Sequence, residues 1–411
     1  SLGNGNINPF SFQELFKIKQ SSLVLNGIRP QYTGQPAVIP LGLTWEKSTT
    51  LNLGLDFAFL SNRLQFSGDI YQRKTTDMFT VGMSLPAVFG TDVPKGNYAD
   101  LTTKGFELSV SWRDQFQLAS KPFNYEVRFT LADYQSTIDK YNNPEKKLGD
   151  DYYYEGMKVG EIWGYETEGF FTSQADIDSH AKQPYFYAGA TAGQWLPGDI
   201  KFKDLNGDGV IDYGNNTVDN PGDQKIIGNS EPRFIYGINL SGDWNNFFVS
   251  AFFQGVGKQD WWPGSEASYF WGMYNRPYND MPKSHLGNIW TEENPNTYFP
   301  RLRGYSSEEP YAELNLKQTR YLQNIAYIRM KNIQLGYTLP KSFISKLRMQ
   351  NAKVYVSGEN LWSWSPFYKY SKDLDVEAVR GSDRDLTEGT SGNGYSYPIL
   401  KSVSFGLSVT F

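Results

Sequence analysis

Ser402-Val403-Ser404-Phe405-Gly406-Leu407-Ser408-Val409-Thr410-Phe411 ends the chain. Val403, Phe405, Leu407, Val409 and Phe411 alternate with Ser402, Ser404, Gly406, Ser408 and Thr410, setting one apolar face against one polar face. Successive side chains of a strand point to opposite sides. A period of two this regular therefore predicts a β-strand that meets an apolar medium on one side only.

The same pattern recurs upstream. Leu51, Leu53, Leu55, Phe57 and Phe59 alternate with Asn52, Gly54, Asp56 and Ala58, and Ser61-Asn62 turns the chain into Leu64 to Ile70. Phe106, Leu108, Val110 and Trp112 form a further row, and Tyr125, Val127, Phe129 and Leu131 another. Later strands are expected over Phe234 to Asp243, Phe247 to Gly257, Ile325 to Leu339, Ala352 to Trp362 and Ile399 to Phe411, about nine in all. Two places break the alternation. Phe252-Phe253 puts aromatics on both faces, and Ile328/Met330 are out of phase with Ile333/Leu335/Tyr337, which predicts a bulge near Lys331-Asn332.

Connections carry the topological signal. Short links at Ser61-Asn62, Arg113 to Phe123, Asn245-Asn246 and Pro340 to Asn351 alternate with long ones. The long ones run from Asp77 to Lys104, Ser136 to Pro232, Lys258 to Asn324 and Ser363 to Tyr397. Loops of such length are uncommon in compact soluble domains. Short turns at one end and long loops at the other are the habit of membrane β-barrels, whose wet lumen explains the charged residues opposite each apolar row. An aromatic at the chain end, as at Phe411, is also how outer-membrane barrels end. About nine strands do not close a bacterial barrel, so residues 1–411 are expected to form the C-terminal part of a larger antiparallel transmembrane one.

Composition narrows the function. No run approaches the roughly 18 apolar residues of a spanning helix, and mean hydropathy is −0.53. A formal net charge of −5 supplies no basic footprint for nucleic acid. With no Cys, disulfide scaffolds and thiolate chemistry are excluded. His180 and His285 stand far apart, which argues against a His-based metal site or catalytic triad. Ser1 to Asn6 has neither the basic nor the apolar region of a signal peptide, as expected of a processed chain or a fragment.

Several blocks resemble one family in order. They are Leu43-Thr44-Trp45-Glu46-Lys47 leading into Leu53-Gly54-Leu55-Asp56-Phe57, Pro197-Gly198-Asp199-Ile200-Lys201-Phe202 before Asp204 to Asp212, and Ile227-Gly228-Asn229 before Pro232-Arg233-Phe234. Trp290 to Pro295, Tyr327-Ile328-Arg329-Met330-Lys331-Asn332-Ile333 and Ser357-Gly358-Glu359-Asn360-Leu361 follow. Together they resemble the C-terminal half of SusC/RagA-like TonB-dependent outer-membrane transporters of the Bacteroidetes. The resemblance implies a barrel of about 22 strands with long extracellular loops. It further implies a plug and a TonB-contacting segment outside this chain, a SusD-like surface lipoprotein as lid, and import of oligosaccharides or peptides rather than catalysis. The alternative is a secreted all-β carbohydrate-binding protein or adhesin.

Two motifs are candidate sites. Asp204, Asn206, Asp208, the Val210 carbonyl and Asp212 follow the spacing of an EF-hand-like calcium loop, with Gly209 at the turn. Asn215 stands where the closing carboxylate belongs, with Asp219 or Asp223 as substitutes; the other reading is a metal-free Asx turn. Ca²⁺ here is structural, and no organic cofactor is expected. Trp261, Trp262, Tyr269, Trp271 and Tyr274 form an aromatic loop that either contacts ligand or packs against its neighbours, the latter being favoured. Trp362 to Tyr368 reads as an interfacial aromatic belt. Asp150-Asp151 and Glu292-Glu293 read as solvated charged turns, and Arg301 and Arg303 are open to a loop-stabilising role.

Overall fold

Alternation of this kind folds into one continuous sheet. A computed structural model describes residues 13–36, 38–39, 41–82, 88, 93–149, 152–183, 194–265, 267–276, 278–303, 307, 312–379 and 397–411. Nine strands pair in one antiparallel meander: β1 (Lys47–Phe59), β2 (Leu64–Val81), β3 (Lys95–Leu118), β4 (Lys121–Lys140), β5 (Arg233–Trp244), β6 (Phe247–Lys258), β7 (Tyr327–Thr338), β8 (Asn351–Trp364) and β9 (Ser402–Thr410). No described helix is long and apolar enough to cross a membrane.

Register fixes the two faces. Phe59, Leu64, Trp112, Val127, Leu240, Ala251, Ile333, Gly358 and Val403 lie directly opposite one another across all nine strands. The adjacent row, Ala58, Gln65, Ser111, Arg128, Asn239, Phe252, Asn332, Glu359 and Ser402, is polar save for Ala58 and Phe252. Large apolar side chains of the first face stay exposed, Leu51 at 76% and Phe405 at 86%. An uncovered apolar band of this extent belongs against hydrocarbon, with the other face toward a wet lumen. Arg128 and Arg113 both reach Glu126 on that inner wall, at 3.1 and 3.5 Å.

Two turns at one end are tight, while the link from β7 to β8 holds a short helical stretch, Lys341–Ile344. Ala119-Ser120 (φ 48° and 61°) and Asn245-Asn246 (φ 45° and 71°) are two-residue turns with both residues left-handed, the conformation that matches strand twist. The strands run further than alternation suggests: β2 continues to Val81, β3 begins at Lys95, and β3 and β4 meet at Leu118 and Lys121. Beyond the bilayer both faces are wet, so hydropathy loses its period while the hydrogen-bond ladder continues. About 9–11 residues span a membrane as a strand, whereas β3 has 24. The expected bulge is present. Phe252 pairs with Asn332 and Phe253 with Met330, so Lys331 is the extra residue. On the inner wall, the Tyr355 ring lies over Gly406, where a Cβ would come within 2.1 Å of it.

Leu240→Lys and Asn239→Lys test the assignment of faces in the whole receptor. A charge at mid-bilayer on the lipid side costs about 2–4 kcal/mol. Leu240→Lys is therefore expected to lower the urea midpoint of the folded barrel, while the neighbouring Asn239→Lys leaves it nearly unchanged. Equal effects would mean that the faces are assigned wrongly.

Candidate functional site

The described parts of the segments between β4 and β5, between β6 and β7, and between β8 and β9 pack together into a cap at one end of the sheet, with its own apolar core. Small two-stranded pairings brace it: Glu161–Tyr165 with Gln224–Asn229, Thr167–Phe170 with Ile200–Phe202, and Asp260–Trp261 with Gln323–Asn324.

The aromatic loop is part of that core. Trp261, Trp271 and Tyr274 are buried, at 4%, 0% and 0% exposure. The Trp271 indole donates to the Pro263 carbonyl at 3.0 Å, and the Tyr274 hydroxyl to the Pro300 carbonyl at 2.6 Å. Trp262 packs half-buried with its ring centroid 6.2 Å from Trp271, and only Tyr269 of the five is exposed. The loop therefore spends most of its aromatic surface on packing.

The Asp204 loop is held by its own backbone. Asp204 accepts from the N–H groups of Gly207 and Gly209, at 2.6 and 2.9 Å, and these bonds hold its carboxyl below the ordinary range. Asn206 accepts from Asp208 N–H (2.9 Å), Asp208 from Val210 N–H (2.8 Å) and Asp212 from Gly214 N–H (2.7 Å). Asp223 closes the turn by accepting from Leu205 and Asp212 N–H, at 2.7 and 2.8 Å. Among the described residues no three His, Asp or Glu side chains converge as a metal-ligand group.

Two buried charge networks tie the cap together. Asp199 pairs with Arg303 through two hydrogen bonds, one of them 2.8 Å, and Arg301 stands 3.9 Å away. Fully buried Glu313 accepts from Ile200 N–H at 2.8 Å, and burial with the nearby Asp199 charge pushes its carboxyl well above the usual range. Nearer the sheet, Arg329 donates to Asp375 at 2.6 Å, and Lys331 reaches Glu377 at 2.5 Å. This second network draws the chain after β8 onto the inner wall at the bulge.

Other expectations resolve locally. His285 lies 2.9 Å from the Phe270 carbonyl, and burial lowers its pKa to about 4, so it is a neutral strut at pH 7. His180 contacts the Phe202 carbonyl at 2.8 Å. Trp362 and Trp364 are exposed on the outward row beside Met330 and Ile328, as a belt requires, whereas Phe367 is buried in the cap. Glu292-Glu293 sits in an exposed turn, and Asp150-Asp151 lies outside the described residues.

A cleft of about 360 Å³ opens in the cap between Glu161–Tyr165, Tyr213 to Gln224 and residues 315–317. Tyr152, Tyr154, Trp163 and Tyr165 supply rings from one stretch, and Tyr213 adds one from the next.

Residues 7–210 match the family model for the TonB dependent receptor-like β-barrel. The whole chain is 27% identical to TonB-dependent receptor P3 of Formosa agariphila, of which it covers 38%. It is 23% identical, over 92% of its length, to TonB-dependent receptor SusC of Bacteroides thetaiotaomicron, covering 33% of that protein. Among solved structures, all of it superposes on 40% of a chain of the RagAB peptide importer in the "closed-closed" state, with a TM-score of 0.69 at 19% identity. The "open-open" state gives 0.66. The chain thus spans about two fifths of the relatives it matches.

Glu313→Gln keeps an acceptor for Ile200 N–H and removes the buried ionisable group. An acid whose folded pKa is raised supports stability below its unfolded pKa and loses that support as pH rises through the folded one. Glu313→Gln is therefore expected to match the parent in thermal melting at pH 4 and to exceed it at pH 8. A lower melting temperature at pH 8 would show that Glu313 is held as an anion.

Proposed function

We propose that this chain, which belongs to the SusC/RagA-like TonB-dependent receptors of the outer membrane, forms part of an importer for oligosaccharides or peptides. The observation that carries the reading is a nine-stranded wall with an apolar outer row and a polar inner row, roofed at one end by a folded cap. Short turns at one end and long connections at the other support placing the cap on the extracellular side. A SusD-like lipoprotein seated on the cap is the proposed lid. TonB would act through a plug carried by the remainder of the receptor. The named relatives are receptors and importers, which supports transport rather than catalysis. Against a secreted adhesin stands the outward row, where Leu53, Leu407 and Phe405 have no protein cover.

Calcium in the Asp204 to Asp212 loop belongs to the same proposal, on its spacing alone. The ion would stiffen the cap, with Asp204, Asn206, Asp208 and Asp212 as its side-chain ligands. Raising Ca²⁺ from an EDTA-treated state is then expected to lift the melting temperature by several degrees, and Asp204→Ala to abolish the rise. No shift would leave the loop to its hydrogen bonds.

Mass spectrometry of material copurified with the chain from detergent-extracted outer membranes tests the main reading. A plug-bearing barrel segment and a SusD-like lipoprotein are expected, and loss of TonB should abolish nutrient uptake through the complex. Recovery of the chain in the aqueous fraction, without a barrel partner, would favour the secreted protein.

A further inference from the structure

We infer that the cleft in the cap is a subsite for a neutral oligosaccharide; the inference rests on the import reading above. Tyr152, Trp163 and Tyr213 line it, and Glu161, Gln224 and Asn315 bring planar polar groups to the same walls. Flat rings suit the C–H faces of pyranose sugars, while amide and carboxylate edges suit pairs of hydroxyls. Trp163 and Glu161 are already fixed in place. The Trp163 indole donates to the Tyr154 hydroxyl at 3.3 Å, and that hydroxyl donates to Glu161 at 2.5 Å. Lys158 N–H donates to the other Glu161 oxygen at 3.0 Å. Burial raises the Tyr154 hydroxyl far above its ordinary value, so it stays a donor. Preorganised walls of this kind reduce what a flexible ligand loses on binding.

Charge and backbone pairing narrow the ligand class. Among the described residues lining the cleft, Glu161 and Lys317 are one acid and one base besides the tyrosines, so this lining carries no excess of either sign. Extended peptides commonly bind by adding to a strand edge. Glu161–Tyr165, a strand along the cleft, has one edge paired throughout and the other occupied at Tyr165. Gln224–Asn229 pairs with one edge. On the other, Tyr165 N–H donates to the Lys317 carbonyl at 2.8 Å, and Thr319 N–H donates back at 3.0 Å. Gly164 permits this approach, since a Cβ there would lie 2.4 Å from the Lys317 oxygen.

The test uses the full receptor with its lid, titrated with linear malto-, cello-, xylo-, manno- and laminari-hexaose under calorimetry, with tryptic casein peptides in parallel. At least one hexaose is expected to bind, about ten-fold more weakly in Tyr213→Ala and in Gln224→Ala. Tyr278→Ala, an exposed phenol outside the cleft, should bind as the parent does. Hexaose binding that ignores both cleft variants would overturn the subsite and leave import standing. Binding of peptides but of no hexaose would overturn the sugar assignment alone. If cells expressing the complex take up neither class, the import reading falls and the subsite with it.

Discussion

Everything in this wall follows from one requirement: in hydrocarbon, no backbone N–H or C=O goes without a partner. A single strand leaves half of these groups unpaired, so each strand here exists only because its neighbours do. The meander meets the requirement between β1 and β9, and each of these two has one neighbour in the sheet. Their outer edges call for further strands, as expected of part of a larger closed barrel. The same requirement sets the division of labour, since irregular backbone lies off the nine-stranded ladder, much of it in the cap, where water and side chains can satisfy it. The cap answers with carboxylates: Asp204, Asp223 and Glu313 each accept backbone N–H groups that no ladder serves.

The wall was largely legible in the sequence because a lipid-facing strand advertises itself through hydropathy. Leu51 to Phe59 and Val403 to Val409 lie on strands where alternation puts them, and the phase break between Met330 and Ile333 marks the bulge. Legibility fails where the environment becomes the same on both faces. Residues beyond Thr75 in β2 and before Thr102 in β3 still pair, but through register shifts at Thr75/Met78 and Met78/Phe79, and their side chains carry no period.

The cap was much less legible, for a different reason. Composition reports that Trp261 and Trp271 are large and flat, not which surfaces their faces meet. Trp261 packs edge-on against Phe367, and Trp271 against Tyr321, with ring centroids 5.8 and 5.3 Å apart. Both partners are remote in sequence, and without them an aromatic loop reads equally as a ligand platform or a core. Glu313 and Asp199 are similarly mute as isolated acids. Their role appears only when folding buries them beside Arg303 and the Ile200 amide. The cleft shares this fate, being assembled from three stretches whose proximity no local pattern encodes.

The extra residue at Lys331 bears on how such a wall keeps its two faces apart. Because strand faces alternate with a period of two, inserting one residue turns every side chain beyond it from lipid to lumen. β7 escapes by ejecting Lys331 from the ladder, so that Met330 and Ile333 both keep to the outer face. The ejected side chain is not idle, because its ammonium anchors Glu377 and with it the chain after β8. A single extra residue, which would otherwise reverse the two faces of the strand, thereby serves as a mooring point. In this wall an odd residue is accommodated where the cap offers the displaced side chain a partner, as Glu377 does for Lys331.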